Sequence, residues 1–233
     1  TGIPTENIWF CASHTFSAPH LFPDGYLKGE DDRLKSHMFK EKVKDALIEA
    51  TKSAYAGMTE AVLGCELGYC NINVNRDICT EEGWWLGVNE TGPSDKTLTI
   101  LRVDALDFHT IGFLISFPVQ SSVMNDSVMA DGGRMVSGDL AGVTSRYLED
   151  EYEGAVALFC VGAAGDQAPL FKAKYNYINR YGEICERDIH EGGFVLVEEL
   201  GRRLGENAVL VAEKIKCCDF TEAVHTRKSI VKC

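Results

Sequence analysis

Four polar side chains stand directly after apolar runs of this sequence: His14, Arg76, Gln120 and Asp166. Histidine and carboxylate side chains ligate metals, and an arginine binds an anion or polarises a carbonyl group. Ligands of open α/β sheets bind beyond the carboxyl ends of strands, so these four positions predict one site. These residues could instead have structural roles: His14 as a hydrogen-bonded loop residue, and Arg76 in an ion pair with Asp77.

The stretch Gly154–Leu170 predicts how one of these groups is presented. Residues 155–161 are apolar apart from Cys160, which predicts a strand covered on both faces. Four small residues at 162–165 let the backbone turn tightly or approach a ligand. Asp166 then either faces the site or only caps backbone N–H groups.

The rest of the chain predicts the elements that position these groups. Residues 172–193 read as a lid-like loop or connector, and residues 81–96, with Trp84 and Trp85, as an irregular loop. Strands are predicted at 7–13, 60–75, 97–106, 110–119 and 220–233, and helices from Asp31 or Asp32 to Gly57, from Ser137 or Asp139 through Leu148, and over 194–211. This order predicts an α/β fold, a mixed, partly parallel central sheet flanked by helices, in a single domain over residues 1–233.

Composition limits the class of partner. The chain has 233 residues, 23 basic and 35 acidic side chains and a formal charge of -12, so nucleic acid and anionic membrane surfaces are unfavourable partners. No apolar run approaches the roughly 20 residues that cross a bilayer, and no signal segment is visible at the start. We therefore expect a cytoplasmic protein without a transmembrane segment.

The nine cysteines include no CxxC pair and are odd in number. This pattern favours free thiols in a reducing compartment over a disulfide framework, and disfavours four-thiolate zinc. Cys11 and Cys160 are predicted inside apolar strands, where burial hides a thiol and raises its pKa. Rapid alkylation of either would indicate cysteine chemistry.

Five segments, taken in order, resemble the N-terminal catalytic region of the neutral/alkaline (non-lysosomal) ceramidase family. They are GIPTENIWFCASHTFSAP, NINVNRD, FPVQSSVM, SGDLAG and FCVGAAGDQAP. The resemblance covers nearly the whole chain and implies the ceramidase-like α/β fold. It also implies that the chain corresponds to an internal portion of a longer family pattern.

The resemblance implies zinc-dependent hydrolysis of an amide in an N-acyl sphingoid base, a lipid-like substrate. The first zinc-binding histidine of the family matches His14, and its carbonyl-binding arginine matches Arg76. Three other positions depart from the family: Phe16 replaces the second histidine of the His-Thr-His motif, Gln120 a zinc-binding histidine, and Ala168 the serine. Alanine cannot attack, phenylalanine cannot ligate or transfer a proton, and a neutral amide binds zinc weakly.

Two functions remain open from the sequence. One is a diverged amide hydrolase that uses a metal-held water, with Asp139 and Asp166 among the ligands and Mn, Mg or Ca in place of zinc. The other is a non-catalytic binding or interaction protein that retains the fold. The candidate site comprises Arg76 and Asp166 as catalytic groups, His14, Gln120 and Asp139 as metal ligands, and Phe16, Gln167 and Ala168 at the substrate.

Overall fold

The computed structural model describes residues 2–23, 25–218 and 229, with Ile178 described by its backbone alone. Three α-helices and nine β-strands lie in these residues. The helices are α1 (Glu30–Ala56), α2 (Asp139–Glu151) and α3 (Gly193–Ala212). The strands are β1 (Ala61–Tyr69), β2 (Asn73–Thr80), β3 (Gly83–Asn89), β4 (Thr97–Ala105), β5 (Thr110–Phe117), β6 (Val156–Val161), β7 (Gln167–Pro169), β8 (Lys174–Ile178) and β9 (Ile184–Asp188).

The central sheet has the strand order β1-β4-β5-β6. β1, β4 and β5 pair antiparallel, whereas β5 and β6 pair parallel with α2 between them in the chain. This confirms the predicted mixed α/β fold and the predicted hairpin of β4 and β5. Alternate residues of β5, among them Ile115 and Phe117, are fully buried in the core because strand side chains alternate between faces.

α2 and α3 cover one face of this sheet and pack closely on each other. A Cβ atom on Gly201 of α3 would lie 2.5 Å from the Cβ of Val143, and one on Gly205 would lie 2.7 Å from the Cβ of Tyr147 on α2. Glycine is needed at both positions, since any side chain there would separate the helices. Leu204 is fully buried beside this contact.

The prediction that residues 155–161 are covered on both faces is wrong. β6 is an edge strand of the central sheet, and its Val156 and Leu158 are 57% and 60% exposed, while Ala157 and Phe159 are buried. The helices cover only the face that carries Ala157 and Phe159. The apolar sequence of this strand therefore does not indicate that both of its faces are buried.

Two further sheets stand beside the central one. β3, β2 and β7 form a three-stranded antiparallel sheet, and β8 and β9 form a hairpin. The predicted strand 60–75 is wrong in extent, because residues 70–72 divide it into β1 and β2, which belong to different sheets. The predicted irregular segment 81–96 contains β3, and the predicted connector 172–193 contains β8 and β9.

The predicted strand 7–13 is absent, because residues 8–13 form no strand pairing with the described part of the chain. Trp9 and Phe10 are 74% and 80% exposed there.

The three predicted helices are confirmed. α1 begins after Gly29 rather than after an aspartate cap, and at its end the N–H of Gly57 donates to the Ser53 carbonyl. Residues 220–228 and 230–233 of the predicted last strand lie outside the described residues.

No helix in the described ranges is both long enough and apolar enough to cross a membrane.

We predict that Gly201→Ala lowers the free energy of unfolding by about 1–3 kcal/mol, because the new methyl group overlaps Val143. Gly142→Ala on α2 is the matched control. A Cβ there meets nothing within 4 Å, so the substitution should stabilise the helix by up to about 1 kcal/mol. Urea unfolding measures both values, and equal effects of the two substitutions would contradict the close helix packing.

Candidate functional site

Pairing of β2 with β7 brings Arg76 beside Asp166. Asn75 lies opposite Gln167 and Val74 opposite Ala168, and the backbone N–H of Arg76 donates to the Asp166 carbonyl at 2.8 Å. Arg76 therefore lies within β2, not at a strand end as predicted. The Asp166 carboxylate accepts a hydrogen bond from the Asn75 side chain at 2.9 Å, which fixes its orientation.

The side chain of Gln120 connects Arg76 to the loop after β6. Its Oε1 accepts a hydrogen bond from Arg76 Nη1 at 3.2 Å, and its Nε2 donates to the Ala164 carbonyl at 2.7 Å. Gln120 is 4% exposed, so both ends of the amide are satisfied inside the protein. This bridge holds the guanidinium in place.

Arg76 has a buried side-chain donor without a partner in the described residues. Its Nε is buried and has no hydrogen-bond partner in the described structure, although the residue as a whole is only half-buried. A buried polar group without a partner is costly and is expected to receive an acceptor from water or a ligand. The unpartnered donor makes Arg76 a candidate for binding an acceptor oxygen.

Lys172 adds a second positive charge to this region. Burial lowers the pKa of Lys172, and the positive charge of Arg76 acts in the same direction, whereas Asp126 and Asp139 oppose it. Sequence reasoning missed this lysine, since nothing in its local sequence sets it apart. The arrangement favours a neutral or anionic acceptor over a further cation near Arg76.

Gln167 and Ala168 are buried parts of β7. Gln167 Oε1 accepts from Ser94 Oγ at 2.6 Å, and its Nε2 donates to the Pro93 carbonyl at 3.1 Å. Its side chain thus holds the segment before β4. Ala168 is 5% exposed and presents only a methyl group. The substrate contacts predicted for these two residues stay predictions.

Asn73 and Asn75 are site residues that sequence reasoning did not single out. Asn73 is fully buried and donates to the Asp95 and Pro118 carbonyls at 2.8 and 2.7 Å. Asn75 is 4% exposed and holds Asp166 as described above. The available signal was their spacing of two within NINVN, which puts both amides on one face of β2.

Asp139 organises the start of α2. It is 1% exposed; its Oδ1 accepts the backbone N–H groups of Val123 at 3.1 Å and Leu140 at 2.7 Å, and its Oδ2 that of Met124 at 2.9 Å. Burial raises the pKa of Asp139, against the effect of these three hydrogen bonds. With a φ of 52°, Asp139 adopts the left-handed conformation that aspartate tolerates better than most residues.

Hydrogen bonds attach the loop that contains His14 and Phe16 to residues close to Gln120 and Asp139 in the chain. Thr15 Oγ1 donates to the Ser137 carbonyl at 2.8 Å, and the Phe16 N–H donates to the Ser121 carbonyl at 3.3 Å. Ser121 follows Gln120 and Ser137 precedes Asp139 by two residues. His14 is exposed, has a φ of 59°, and its ring centroid lies 5.2 Å from that of Phe16.

A cavity of about 320 Å³ opens beside Phe16. The residues around it come from two loops, one before α1 and one between β5 and α2, and from the first turn of α3. Its apolar lining residues include Phe16, Met124, Met129, Met135, Val136 and Phe194, and its polar ones His20, Asp126 and Arg134. Aromatic and methionine side chains adapt to apolar ligands of irregular shape, so the cavity suits an apolar or amphipathic small molecule.

The side chains predicted to be metal ligands are not arranged to bind zinc. Gln120 Oε1 faces the Arg76 guanidinium, and both Asp139 oxygens already accept backbone N–H groups. Within residues 2–23, 25–218 and 229, no group of three or more His, Cys, Asp or Glu side chains is placed to bind a metal ion. The metal-ligand roles of His14, Gln120 and Asp139 stay predictions.

The fold is similar to that of neutral ceramidase from Pseudomonas aeruginosa, with a TM-score of 0.52 and 20% sequence identity over 73% of this chain and 25% of that chain. A second structure, a ceramidase complexed with C2, gives a TM-score of 0.49 and 20% identity over 70% of this chain and 24% of that chain. No protein-family model and no curated protein matches the sequence. The chain thus spans about a quarter of the neutral ceramidase, and the predicted ceramidase-like fold is confirmed at the level of fold.

We predict that Asp139→Ala lowers the free energy of unfolding by about 2–4 kcal/mol, because three buried N–H groups lose their acceptor. Asp150→Ala, at an exposed position of the same helix, should change it by less than about 0.5 kcal/mol. Chemical unfolding of both variants checks this. A loss at Asp139 no larger than at Asp150 would show that the carboxylate does not hold this end of the fold.

Proposed function

We propose that the protein binds a lipid-like amide, or the carboxylate derived from it, with the carbonyl or carboxylate oxygen at Arg76, and that it does not cleave this ligand by zinc and serine chemistry. The observation that carries the proposal is the Arg76 guanidinium, held by Gln120 on one side and left with a buried, unpartnered Nε. An arginine presented in this way binds carbonyl and carboxylate oxygens strongly and with defined geometry.

The apolar character of the ligand is supported by the cavity beside Phe16. Phe16 replaces a histidine of the ceramidase pattern and lines this cavity together with methionines and Phe194. Transfer of an acyl chain from water to such a surface is favourable, because apolar surface is removed from water. The likeness in fold to a neutral ceramidase agrees with a lipid-like ligand.

The absence of serine chemistry is supported by Ala168 and Gln120. Ala168, which pairs with Val74, offers no nucleophilic atom where the resembled family carries its serine. Gln120 gives its oxygen to Arg76 instead of to a metal. The ligand would therefore be bound without being cleaved.

We predict that Arg76→Gln weakens binding of a short-chain N-acyl sphingoid base by about 10–100-fold, which corresponds to loss of a charge-assisted hydrogen bond of about 1.5–3 kcal/mol. Arg146→Gln, at an exposed position on α2 whose side chain pairs with Glu198 at 3.5 Å, is the matched control and should bind as the unmodified protein does. Isothermal titration calorimetry measures the affinities, and circular dichroism verifies that both variants fold. Equal affinities of the two variants, or no binding by any of them, would refute the proposal.

Amide hydrolysis by a diverged, metal-assisted enzyme is the second candidate, and the likeness in fold to neutral ceramidase favours it. Here His14 and Asp139, with Gln120 or Asp166, would hold a divalent ion such as Mn, Mg or Ca. This function requires that the Asp139 oxygens leave the hydrogen bonds described above, and that the Gln120 oxygen does so where Gln120 is the ligand.

We predict that the unmodified protein releases no fatty acid from an N-acyl sphingoid base, with or without added Zn, Mn, Mg or Ca. A triple variant with Phe16→His, Gln120→His and Ala168→Ser should bind zinc, because the imidazoles restore the ligand type that zinc prefers. Metal analysis after dialysis and a fatty-acid release assay measure the two properties. Metal-dependent turnover by the unmodified protein would instead establish the hydrolase.

A further inference from the structure

One face of the central sheet carries apolar side chains that the described residues leave largely open to solvent. α2 and α3 cover the opposite face, where Phe113, Ile115 and Phe117 are buried. We call the open side the outer face. Strand pairing arranges its side chains in three rows across the sheet: Leu63–Val103–Gly112–Val156, Cys65–Leu101–Leu114–Leu158 and Leu67–Thr99–Ser116–Cys160.

The outer face has the size and the chemistry of an interaction surface. Leu67, Leu158 and Val156 are 62%, 60% and 57% exposed, and Leu114 in the central row is 39% exposed. None of the residues in the three rows is charged. With neighbouring strands ~4.8 Å apart and about 3.4 Å per residue along each strand, the rows cover roughly 20 by 20 Å. A contiguous apolar area of this size commonly marks a protein–protein contact.

α1 is a long helix that contributes no residue to the buried core of the described structure. Its apolar residues Phe39, Val43, Leu47, Ala50 and Ala54 recur at spacings of three or four residues and therefore lie along one side of the helix. We call these five residues the α1 stripe. Because most helical stability in proteins comes from the packing of such a side, the α1 stripe is expected to lie against an apolar surface.

We propose that the protein forms a symmetric dimer in which the α1 stripe of each copy packs on the outer face of the other copy. The stripe and the face are both apolar, and within the described chain neither is buried by another element. A second copy covers both surfaces at once, because in a two-fold contact each copy offers what the other lacks. Residues 57–60, between α1 and β1, keep their course, since the helix does not have to fold back onto its own sheet.

The size and the charge of the two surfaces agree with a stable dimer. Two such contacts would bury roughly 1,600 Å² over both copies, which is the size of a standard specific interface. α1 has acidic and basic side chains in equal number and the three rows of the outer face have neither, so the contact itself is not repulsive. The formal charge of -12 on each copy opposes association over longer distances, so salt should strengthen the dimer. This inference does not rest on the proposed ligand.

Sedimentation velocity of the full chain over a range of concentrations tests the dimer. We expect a monomer–dimer equilibrium that shifts toward the dimer as salt is raised. Leu114→Asp on the outer face and Leu47→Asp on the α1 stripe should each weaken the dimer by at least about tenfold, because each places a carboxylate in an apolar contact. Leu210→Asp, at an exposed position of α3 outside both surfaces, should leave the dimer unchanged.

Circular dichroism verifies the fold of each variant. If Leu114→Asp does not fold, Leu47→Asp decides, because α1 contributes no residue to the core. A protein that stays monomeric at every concentration, or a dimer that either folded surface variant leaves intact, would overturn the proposal.

Cross-linking distinguishes a contact between copies from closure within one copy. Isotope-labelled and unlabelled chains are mixed, and a short amine-to-thiol cross-linker is used to join the lysines of α1 to Cys65, which is exposed on the outer face. We expect linked peptides that combine a labelled and an unlabelled chain. Links within single chains alone would show that α1 folds onto its own sheet and would also overturn the proposal.

Discussion

The side-chain amide of Gln120 joins parts of the molecule that no continuous sheet connects. Gln120 follows β5 of the central sheet, Arg76 belongs to β2 of the smaller sheet, and Ala164 lies in the loop after β6. One buried amide thus connects both sheets and the loop that carries Asp166. Because each end of the amide is satisfied, replacing it would leave a buried partner unpaired at either end.

The same bridge stabilises the candidate site of this ceramidase-like fold. An amide between a guanidinium and a carbonyl group stabilises the site through hydrogen bonds alone. Asp139 contributes in the same manner, since its carboxylate holds backbone N–H groups on both sides of the 123–139 connection. Within the described residues the buried Nε of Arg76 has no hydrogen-bond partner, and the proposed ligand binding rests on that donor.

The sequence predicted the helices and the β4–β5 hairpin because their periodicity and end signals are local. It failed where long-range pairing decides the structure. Residues 7–13 are apolar enough for a strand but find no partner in the described residues, whereas residues 83–89, interrupted by glycine, pair with β2. Residues 156–161 form a strand as predicted, yet they lie at an edge where one face stays open.

Some of the predicted site residues are observed close together, whereas their functional roles stay predictions. The chain does bring Arg76, Gln120 and Asp166 together, and fastens the loop of His14 and Phe16 close to Asp139 through Ser121 and Ser137. The sequence could not predict the hydrogen-bond partners, since no local pattern indicates that Gln120 contacts a guanidinium or that Asn75 binds Asp166. Lys172 was missed for the same reason: its role comes from burial and neighbours.

The most direct test of the central claim is a crystal structure of the protein grown with a short-chain N-acyl sphingoid base and zinc. The account predicts an intact ligand whose carbonyl oxygen lies within hydrogen-bond distance of Arg76 Nε, with Gln120 still bonded to Arg76 and Ala164. A zinc ion bound by His14 and Gln120 beside a cleaved ligand would contradict it.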